Sequence, residues 1–174
     1  MKKLLVVVDM QKDFIDGVLG TAEAVKIVEP AAAKIREAKE QGEDIIFTKD
    51  THHKDYLMTQ EGRKLPVPHC VKGTRGWELD DRIGELARGC RILEKPSFGS
   101  MELAALAQQE NYEEIELIGL CTDICVISNA MLLKAALPEA VIKVDPFCCA
   151  GVTPESHKNA LEAMKMCQIQ IENN

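Results

Sequence analysis

Residues 114–137, EIELIGLCTDICVISNAMLLKAAL, contain a short apolar run, a tight turn and a longer helical stretch. Short apolar runs alternate with longer amphipathic stretches along the rest of the chain as well. The candidate strands are LLVVVD (4–9), DIIFTK (44–49), RILEK (91–95), EIELIGL (114–120), AVIKVD (140–145) and a weaker CQIQI (167–171). This alternation is typical of a parallel sheet with crossover helices on both faces. We therefore expect a three-layer α/β/α fold with a six-stranded, mostly parallel sheet.

The stretches between these runs predict the helices. TAEAVKIVEPAAAKIREAKEQG (21–42) predicts one helix or a pair of helices joined at Pro30, with Gly42 as the C-terminal cap. Further helices are predicted for MELAALAQQ (101–109), TDICVISNAMLLKAAL (122–137) and TPESHKNALEAMKM (153–166), the last capped by Thr153. Residues 50–77 lack periodicity and are rich in Gly, Pro, His and charge, which indicates a long loop, ordered or disordered.

Length and composition limit the class of protein. A chain of 174 residues that is 46% hydrophobic is the size of one ordinary domain, which we expect to span residues 1–174. A net charge of −7, without a run of Lys and Arg, argues against nucleic acid as a partner. The first apolar run is too short for a secretory signal or a membrane span, so we expect a cytoplasmic protein that does not bind membranes. The seven scattered cysteines predict neither a disulfide scaffold nor a thiolate zinc site.

Candidate catalytic residues stand at the ends of the predicted strands. Asp9, Asp50, Lys95 and the turn 121–125 follow the first four strands, and ligands bind at the carboxyl edge of such sheets. An ionised Asp9 after an apolar run needs a partner, and Lys95 is the obvious one. With Cys125, this pair could move a proton and hold a thiolate. A buried structural salt bridge explains the spacing of Asp9 and Lys95 equally well.

Cys125 lies one turn inside a predicted helix, which Thr122 or Asp123 could cap. Helix-start amides attract negative charge, so we expect a lowered pKa and a partial thiolate for Cys125 near neutral pH. The alternative interpretation is a small buried hydrophobe. We adopt that alternative for the cysteines without such a setting: Cys70, Cys90, Cys148, Cys149 and Cys167.

A second set of polar residues could bind a metal. Asp50 and His52 lie on one side of an extended segment, with Thr51 and a solvent-facing His53 on the other. Together with Glu61 and His69 they offer two imidazoles and two carboxylates, which suit zinc best, or iron or manganese. The alternative is that all four are polar residues of a solvated loop.

The remaining aromatic and histidine residues have simpler interpretations. Phe14 and Phe98 flank Asp9 and Lys95 in sequence, so we expect them to line a small substrate pocket. Trp77 is expected in the core. His157 has no partner that the sequence reveals.

Four motifs carry a family resemblance: VVVDMQKDF (6–14), DTH (50–52), KPSFGS (95–100) and, most specifically, GLCTDICV (119–126). In this order they resemble the isochorismatase-like cysteine hydrolases, including the nicotinamidases, over residues 9–151. The resemblance implies a catalytic triad and an oxyanion hole formed by two backbone amides, with a cis peptide before Cys121. It also implies a metal site and a homo-oligomer. The triad residues would be Asp9, Lys95 and Cys125, the oxyanion amides those of Cys121 and Cys125, and the metal ligands Asp50, His52, Glu61 and His69.

The resemblance also has departures that concern the substrate. Nicotinamidases usually have an aromatic residue before their Pro-Pro-His element, where LPVPHC (65–70) has Pro66 and Val67. Ile124, which we expect in the substrate pocket, replaces a frequent His or Tyr. The resemblance therefore favours amide hydrolysis more strongly than it favours nicotinamide itself.

The expected function is a cysteine-dependent amidase that acts through a thioester on a small amide, such as nicotinamide or a carbamoyl compound. One alternative is an isochorismatase-type hydrolase of an enol ether, although those enzymes typically lack the cysteine. Another is a non-catalytic scaffold. A homo-oligomer is expected also because the helix around Cys125 is apolar on more than one side, at Ile124, Val126, Ile127, Met131, Leu132 and Leu133.

Overall fold

The strands form one parallel sheet in the computed structural model, which describes residues 1–172. Within these residues six strands lie in the order β3-β2-β1-β4-β5-β6, and every neighbouring pair is parallel. The strands are β1 Lys3–Val8, β2 Asp44–Asp50, β3 Arg91–Lys95, β4 Glu114–Leu120, β5 Val141–Ala150 and β6 Gln170–Ile171. The expected α/β fold and its six-stranded sheet are confirmed.

Helices cover both faces of the sheet. They are α1 Lys12–Ile15, α2 Ala22–Lys26, α3 Val28–Glu40, α4 Gln60–Lys64, α5 Asp81–Leu86, α6 Met101–Glu110, α7 Ile127–Ala136 and α8 Pro154–Met166. Leu5 and Val7 of β1 pack in a core with α1–α3 and α5. Leu4 and Val6 point the other way and pack with α6–α8, because side chains alternate along a strand. These two cores give the predicted three layers.

The region 21–42 is a pair of helices, but the predicted join at Pro30 is wrong. The break falls at Ile27, and Pro30 lies in the first turn of α3. A proline is tolerated there because the first amides of a helix have no intrahelical acceptor. Gly42 follows the C-terminal end of α3 with a φ of 71°, as expected of a glycine that terminates a helix.

The predicted end of the fifth strand is also wrong. β5 continues past Asp145 through Pro146 to Ala150, whereas β6 is limited to two residues. The pairing of β4 with β5 shifts register between Leu117 and Gly119, so Pro146 lies in an irregular part of the ladder. A proline is acceptable in such a bulge because no regular ladder bond is lost.

The segment 50–77 is ordered, which decides between the two alternatives for this loop. It contains α4 and two short 3₁₀ turns, Tyr56–Met58 and Arg75–Trp77. Tyr56 is buried, and its hydroxyl donates to the Leu65 carbonyl. Thr59 caps α4 by accepting from the Gly62 amide. These contacts hold the loop over the carboxyl edge of the sheet.

Several cysteines and α7 residues differ from their expected burial. All seven cysteines are free, and Cys70, Cys148 and Cys149 are buried as expected. Cys90 is half-buried and Cys167 is exposed, so the buried interpretation is wrong for those two. Of the apolar residues around Cys125, those fully buried inside the chain are Val126 and Leu133, which leaves Ile124, Ile127, Met131 and Leu132 partly exposed. Among residues 1–172, no helix is long and apolar enough to span a bilayer.

Candidate active site

Four neighbouring strands deliver the candidate residues to one edge of the sheet. Asp9 directly follows β1, and Asp50 and Lys95 end β2 and β3 in paired register. Cys125 lies in the turn of π-helix, Thr122–Val126, that follows β4. Because β3, β2, β1 and β4 are adjacent in the sheet, their carboxyl ends bring these side chains together.

Lys95 is the centre of this cluster, and its side chain is fully buried. Its Nζ lies 2.6 Å from Asp9 Oδ2 and donates to Cys125 Sγ at 3.3 Å. It also donates to the Ser97 carbonyl at 3.0 Å and lies 3.7 Å from Asp50 Oδ1. The three residues proposed from the sequence as a triad therefore meet at one ammonium group.

Asp9 is held by its neighbour strand and by an unusual backbone conformation. The Thr48 hydroxyl donates to Asp9 Oδ1 at 2.6 Å, which leaves Oδ2 for Lys95. Asp9 has a φ of 48°, a left-handed conformation that few side chains other than Asp and Asn adopt readily. Gly119 of β4 lies beside this turn, and a Cβ there would collide with the Val8 carbonyl oxygen. The close approach of β1 and β4 thus requires glycine.

The resting Cys125 is a thiol, so the expected lowered pKa is wrong. Burial raises the pKa of Cys125 well above its ordinary value, and the Asp9 carboxylate raises it further, against the opposing effect of Lys95. Burial also raises the pKa of Asp9, although Lys95 offsets part of this change. Burial lowers the pKa of Lys95, but Asp9, Cys125 and Asp50 outweigh it and keep the ammonium charged. A buried thiol beside a base and a fixed cation can become a thiolate when its proton moves to the base.

The prediction that Thr122 or Asp123 caps the helix containing Cys125 is also wrong. The Thr122 hydroxyl bonds His157 Nδ1 at 2.7 Å, and the Asp123 carboxylate accepts from the Val152 amide. Neither side chain caps the turn, which has Cys121 at its N-cap position. His157 therefore has a partner, contrary to expectation, and it ties α8 to the segment that carries the nucleophile.

A small cavity of about 240 Å³ opens beside Cys125. Phe14, Phe98 and Ile124 line it, as proposed from the sequence. It is also lined by residues that no sequence pattern identifies, among them Leu19, Thr21, Ala24, Leu65 and Val152. They come from separate loops and helices, and no local pattern brings them together. A cavity of this size fits a small substrate.

Trp77 does not line the cavity and is partly buried against the core, close to the interpretation made from the sequence. Its Nε1 donates to the Thr51 hydroxyl at 2.9 Å. The Lys49 ammonium lies 3.1 Å from the centre of its ring. These contacts anchor the loop 50–77 to β2.

The four candidate metal ligands form a second cluster. Their ligand atoms lie within 4.8 Å of one another. His52 Nε2 and His69 Nε2 lie 2.9 and 3.4 Å from Asp50 Oδ2. The same two nitrogens lie 3.4 and 3.8 Å from Glu61 Oε1. His53 is exposed, on the other side of the segment as expected. Asp50, Glu61 and His69 also line the cavity.

This cluster fits a divalent cation by its hydrogen bonding. His69 Nδ1 bonds the Val67 carbonyl at 2.7 Å, which leaves Nε2 as the ring nitrogen that faces the carboxylates. Asp50 Oδ1 is buried and has no hydrogen-bond partner among residues 1–172. Gln11 fixes the Asp50 backbone from both sides, with its Nε2 donating to the carbonyl and its Oε1 accepting from the amide, each at 2.8 Å. Two imidazoles with two carboxylates suit zinc, iron or manganese.

The pKa shifts of Asp50 and His69 agree with a site that binds a cation. Burial raises the pKa of Asp50, but hydrogen bonds from His52 and His69 outweigh it and keep the pKa well below its usual range. Burial lowers the pKa of His69, and the bonds to Asp50 and Val67 more than compensate. Burial raises the pKa of Glu61, so Asp50 is the carboxylate that attracts positive charge most strongly, and a proton or a metal can supply that charge.

The segment that would form the oxyanion hole has the backbone that the resemblance implies. The Leu120–Cys121 peptide bond is cis. Cys121 follows β4, and its carbonyl accepts from the amides of Ile124 and Val126. Cys121 and Cys125 both line the cavity, so their backbone lies beside the space that a substrate would occupy.

Comparisons with known proteins agree with this geometry. The family model described as Isochorismatase domain matches residues 3–173. The structure is similar to nicotinamidase/pyrazinamidase PncA from Bacillus subtilis, with a TM-score of 0.88 and 26% identity over 99% of this chain and 100% of that chain. It is also similar to pyrazinamidase of Pyrococcus horikoshii in complex with zinc, with a TM-score of 0.82 and 27% identity over the full length of both chains.

A third similar structure is N-carbamoylsarcosine amidase from Thermoplasma acidophilum. Its TM-score is 0.82, with 28% identity over 99% of this chain and 96% of that chain. These three proteins are named as amide hydrolases, and the family model spans nearly the whole chain. The chain is a hydrolase of the isochorismatase family.

Proposed function

We propose that this hydrolase is a cysteine-dependent amidase that cleaves the amide of a small uncharged molecule through a thioester on Cys125. The observation that carries the proposal is the position of Lys95 Nζ, 2.6 Å from Asp9 and 3.3 Å from the Cys125 sulfur, beside a small cavity. A base, a fixed cation and a nucleophile in contact are what acyl transfer requires.

The first half of the reaction forms the acyl-enzyme. Asp9 accepts the thiol proton, and the Lys95 ammonium stabilises the thiolate as it attacks the amide carbon. The carbonyl oxygen becomes an oxyanion, which the backbone amides of Cys121 and Cys125 would bind. Each such donor typically contributes about 3 to 4 kcal/mol. The C–N bond then breaks, ammonia or an amine leaves with the proton from Asp9, and a thioester remains.

The second half hydrolyses the thioester. Asp9, again a carboxylate, takes a proton from water, and the resulting hydroxide attacks the thioester carbonyl. The C–S bond breaks, the acid is released, and the thiolate recovers its proton from Asp9. One amide and one water thus give one acid and one ammonia, and the enzyme returns to its resting thiol. Burial of Asp9 supports both roles because it raises the pKa of the carboxyl group.

We further propose that Asp50, His52, Glu61 and His69 hold a divalent metal, zinc in the first instance. When bound, the metal would supply a Lewis acid beside the cavity for a substrate heteroatom or a water. Support comes from the Nε2 atoms of His52 and His69, which converge on Asp50 Oδ2 and Glu61 Oε1. The zinc in the Pyrococcus horikoshii pyrazinamidase structure is consistent with this choice.

The lining of the cavity favours a neutral acyl group. Its ionisable lining residues include the carboxylates Asp50 and Glu61, and no Lys or Arg is part of the lining formed by residues 1–172. Apart from the proposed metal, this lining offers no cation for a substrate carboxylate, and much of it is apolar, so burying such a charge would be costly. The cavity therefore suits small neutral amides such as nicotinamide better than acidic carbamoyl compounds or an acidic enol ether. The intact triad also makes a non-catalytic scaffold the weaker candidate.

Ammonia release from a panel of amides tests this function. We expect turnover of neutral primary amides, weaker turnover of carboxylate-bearing carbamoyl compounds, and partial loss with a chelator. Cys125→Ala should lower turnover at least about a thousandfold. Cys149→Ala is the matched control, since Cys149 is equally buried in the same core as Cys125 but does not line the cavity. Amide turnover that persists in the Cys125→Ala variant would contradict the proposal.

We also propose that the protein is a homo-oligomer. The partly exposed apolar residues Ile124, Ile127, Met131 and Leu132 lie on or beside α7, next to the cavity. Light scattering at micromolar concentration should give a multiple of the monomer mass, and the monomer mass itself would contradict this assembly.

A further inference from the structure

Asn129 of α7 is a buried polar residue that the mechanism above does not use. Its side chain is completely buried. Its Nδ2 donates to the carbonyls of Cys125 at 2.8 Å and Phe98 at 3.2 Å, and its Oδ1 accepts from the Ser100 amide at 2.9 Å. A buried carboxamide with three partners orients both segments that it joins, because each bond has a direction and an unmade bond is costly.

The two segments joined by Asn129 carry the nucleophile and the residues after Lys95. The Cys125 carbonyl belongs to the nucleophile itself. Residues 96–100 follow Lys95 directly, and the Lys95 ammonium donates to the Ser97 carbonyl in the same segment. Asn129 therefore connects the Cys125 turn to the loop that Lys95 contacts.

The packing of this loop against α7 is close, which supports a specific link. A Cβ at Gly99 would lie 2.6 Å from Leu132 Cδ1, so the loop lies directly on the helix at this point. Phe98 lines the cavity, and its carbonyl is one of the groups that Asn129 binds. Ser100 caps α6 with its hydroxyl while its amide is bound by Asn129. Displacement of the loop would therefore alter both the cavity wall and the surroundings of Lys95.

We infer that Asn129 is a positioning residue that holds the Cys125 turn against residues 98–100 and thereby sets the contact between the Cys125 sulfur and the Lys95 ammonium. This inference rests on the proposed function, since the contact matters to catalysis only if Cys125 is the nucleophile. Small displacements of reacting groups are costly, and a shift of about 1 Å can lower a rate about a hundredfold.

Two substitutions separate positioning from simple packing. Asn129→Asp keeps the shape and the acceptor for Ser100, but it places a carboxylate oxygen against the carbonyls of Cys125 and Phe98. Asn129→Ala removes all three bonds. We expect both variants to lower kcat about ten- to hundredfold, with most of the loss in kcat/KM residing in kcat. Wild-type kcat in Asn129→Asp, or a loss entirely in KM, would overturn the inference.

Hydrogen exchange at the Ser100 amide gives a readout that needs no substrate. The amide should be protected in the wild type and in Asn129→Asp, and it should exchange faster in Asn129→Ala. Unchanged protection in Asn129→Ala would show that Asn129 does not hold this segment. Should Asn129→Ala fail to fold, the kinetics of Asn129→Asp still decide the inference.

Gln108→Ala is the matched control for both measurements. The Gln108 carboxamide also bridges to α7, donating to the Ala136 carbonyl, but it is exposed and lies at the far end of the helix. We expect Gln108→Ala to keep wild-type kcat and Ser100 protection. If neither the wild type nor any variant hydrolyses an amide, the proposed function fails, while Ser100 exchange still reports whether Asn129 holds the loop.

Discussion

Two lysines of this protein, the partly buried Lys34 and the buried Lys95, lie among carboxylates, and of these two Lys95 contacts a nucleophile. Lys34 Nζ of α3 lies 2.9 Å from Glu116, 3.0 Å from Asp145 and 3.4 Å from Glu172. Lys95 Nζ lies 2.6 Å from Asp9 and contacts the Cys125 thiol. In both cases burial lowers the pKa of the lysine, and the surrounding acids outweigh it, so both ammonium groups stay charged.

The difference lies in what surrounds each ion cluster. The Lys34 side chain keeps about a fifth of its exposure, and its acids lie in a polar groove beside α3. Glu116, Asp145 and Glu172 resemble a metal-binding set, yet the Lys34 ammonium supplies their cation. Around Lys95 there are a thiol, a base with a raised pKa and a cavity. A charged cluster becomes a catalytic candidate when a proton can move within it and a substrate can reach it.

The largest expected effect is a fall in kcat when Lys95, and not Lys34, is replaced. Lys95→Met removes the cation that stabilises the Cys125 thiolate, so kcat for amide hydrolysis should fall about a hundred- to ten-thousandfold. Lys34→Met should leave kcat within about twofold of the wild type, since Lys34 does not reach the cavity. Ammonia release by the two folded variants is the measurement. An equal loss of kcat in the two variants would show that Lys95 has no catalytic role that distinguishes it from Lys34.

A second prediction concerns metal binding and separates two neighbouring histidines. His52→Ala should lower the affinity for zinc at least about tenfold, because its Nε2 faces Asp50 and Glu61. His53→Ala should bind zinc like the wild type, because His53 is exposed on the opposite side of the segment. Elemental analysis and zinc titration of untagged protein measure this. Equal affinity in the two variants would contradict the site.

The smallest expected effect tests the structural role of the Lys34 cluster. Lys34→Met leaves three acids without their shared cation, and partial exposure of the site reduces the cost. We expect the free energy of unfolding to fall by about 1 to 2 kcal/mol. The free energy of unfolding is measured by denaturant unfolding of the wild type and the variant. A variant more stable than the wild type would show that desolvating this cluster costs more free energy than its ion pairs contribute.

The sequence predicted the elements that depend on local patterns. The bounds of β3 and β4 match the predicted runs, and in β4 the match follows from a nearly continuous apolar stretch, as is typical of buried parallel strands. The meeting of Asp9, Lys95 and Cys125 also followed from their places at strand ends. By contrast, the predicted helix join at Pro30 and the predicted strand end at Asp145 were wrong, since a proline is tolerated at a helix start and in a bulge that only the folded chain reveals.

Properties that depend on distant residues could not be predicted. The raised pKa of Cys125 results from complete burial and from Asp9, which outweigh the opposing effect of Lys95. The role of Asn129 could not be predicted from the sequence of its own helix, because its partners at Phe98 and Ser100 come from another segment. The same is true of Leu65, which reaches the cavity from the loop 50–77.

The central claim, covalent catalysis at Cys125, is tested most directly by trapping the intermediate. Wild-type enzyme turning over a neutral primary amide would be quenched in acid, digested and analysed by mass spectrometry. The account predicts that the peptide containing Cys125 gains the mass of the acyl group, which is the amide less ammonia. An acyl group on another residue, or steady turnover by Cys125→Ala, would contradict it.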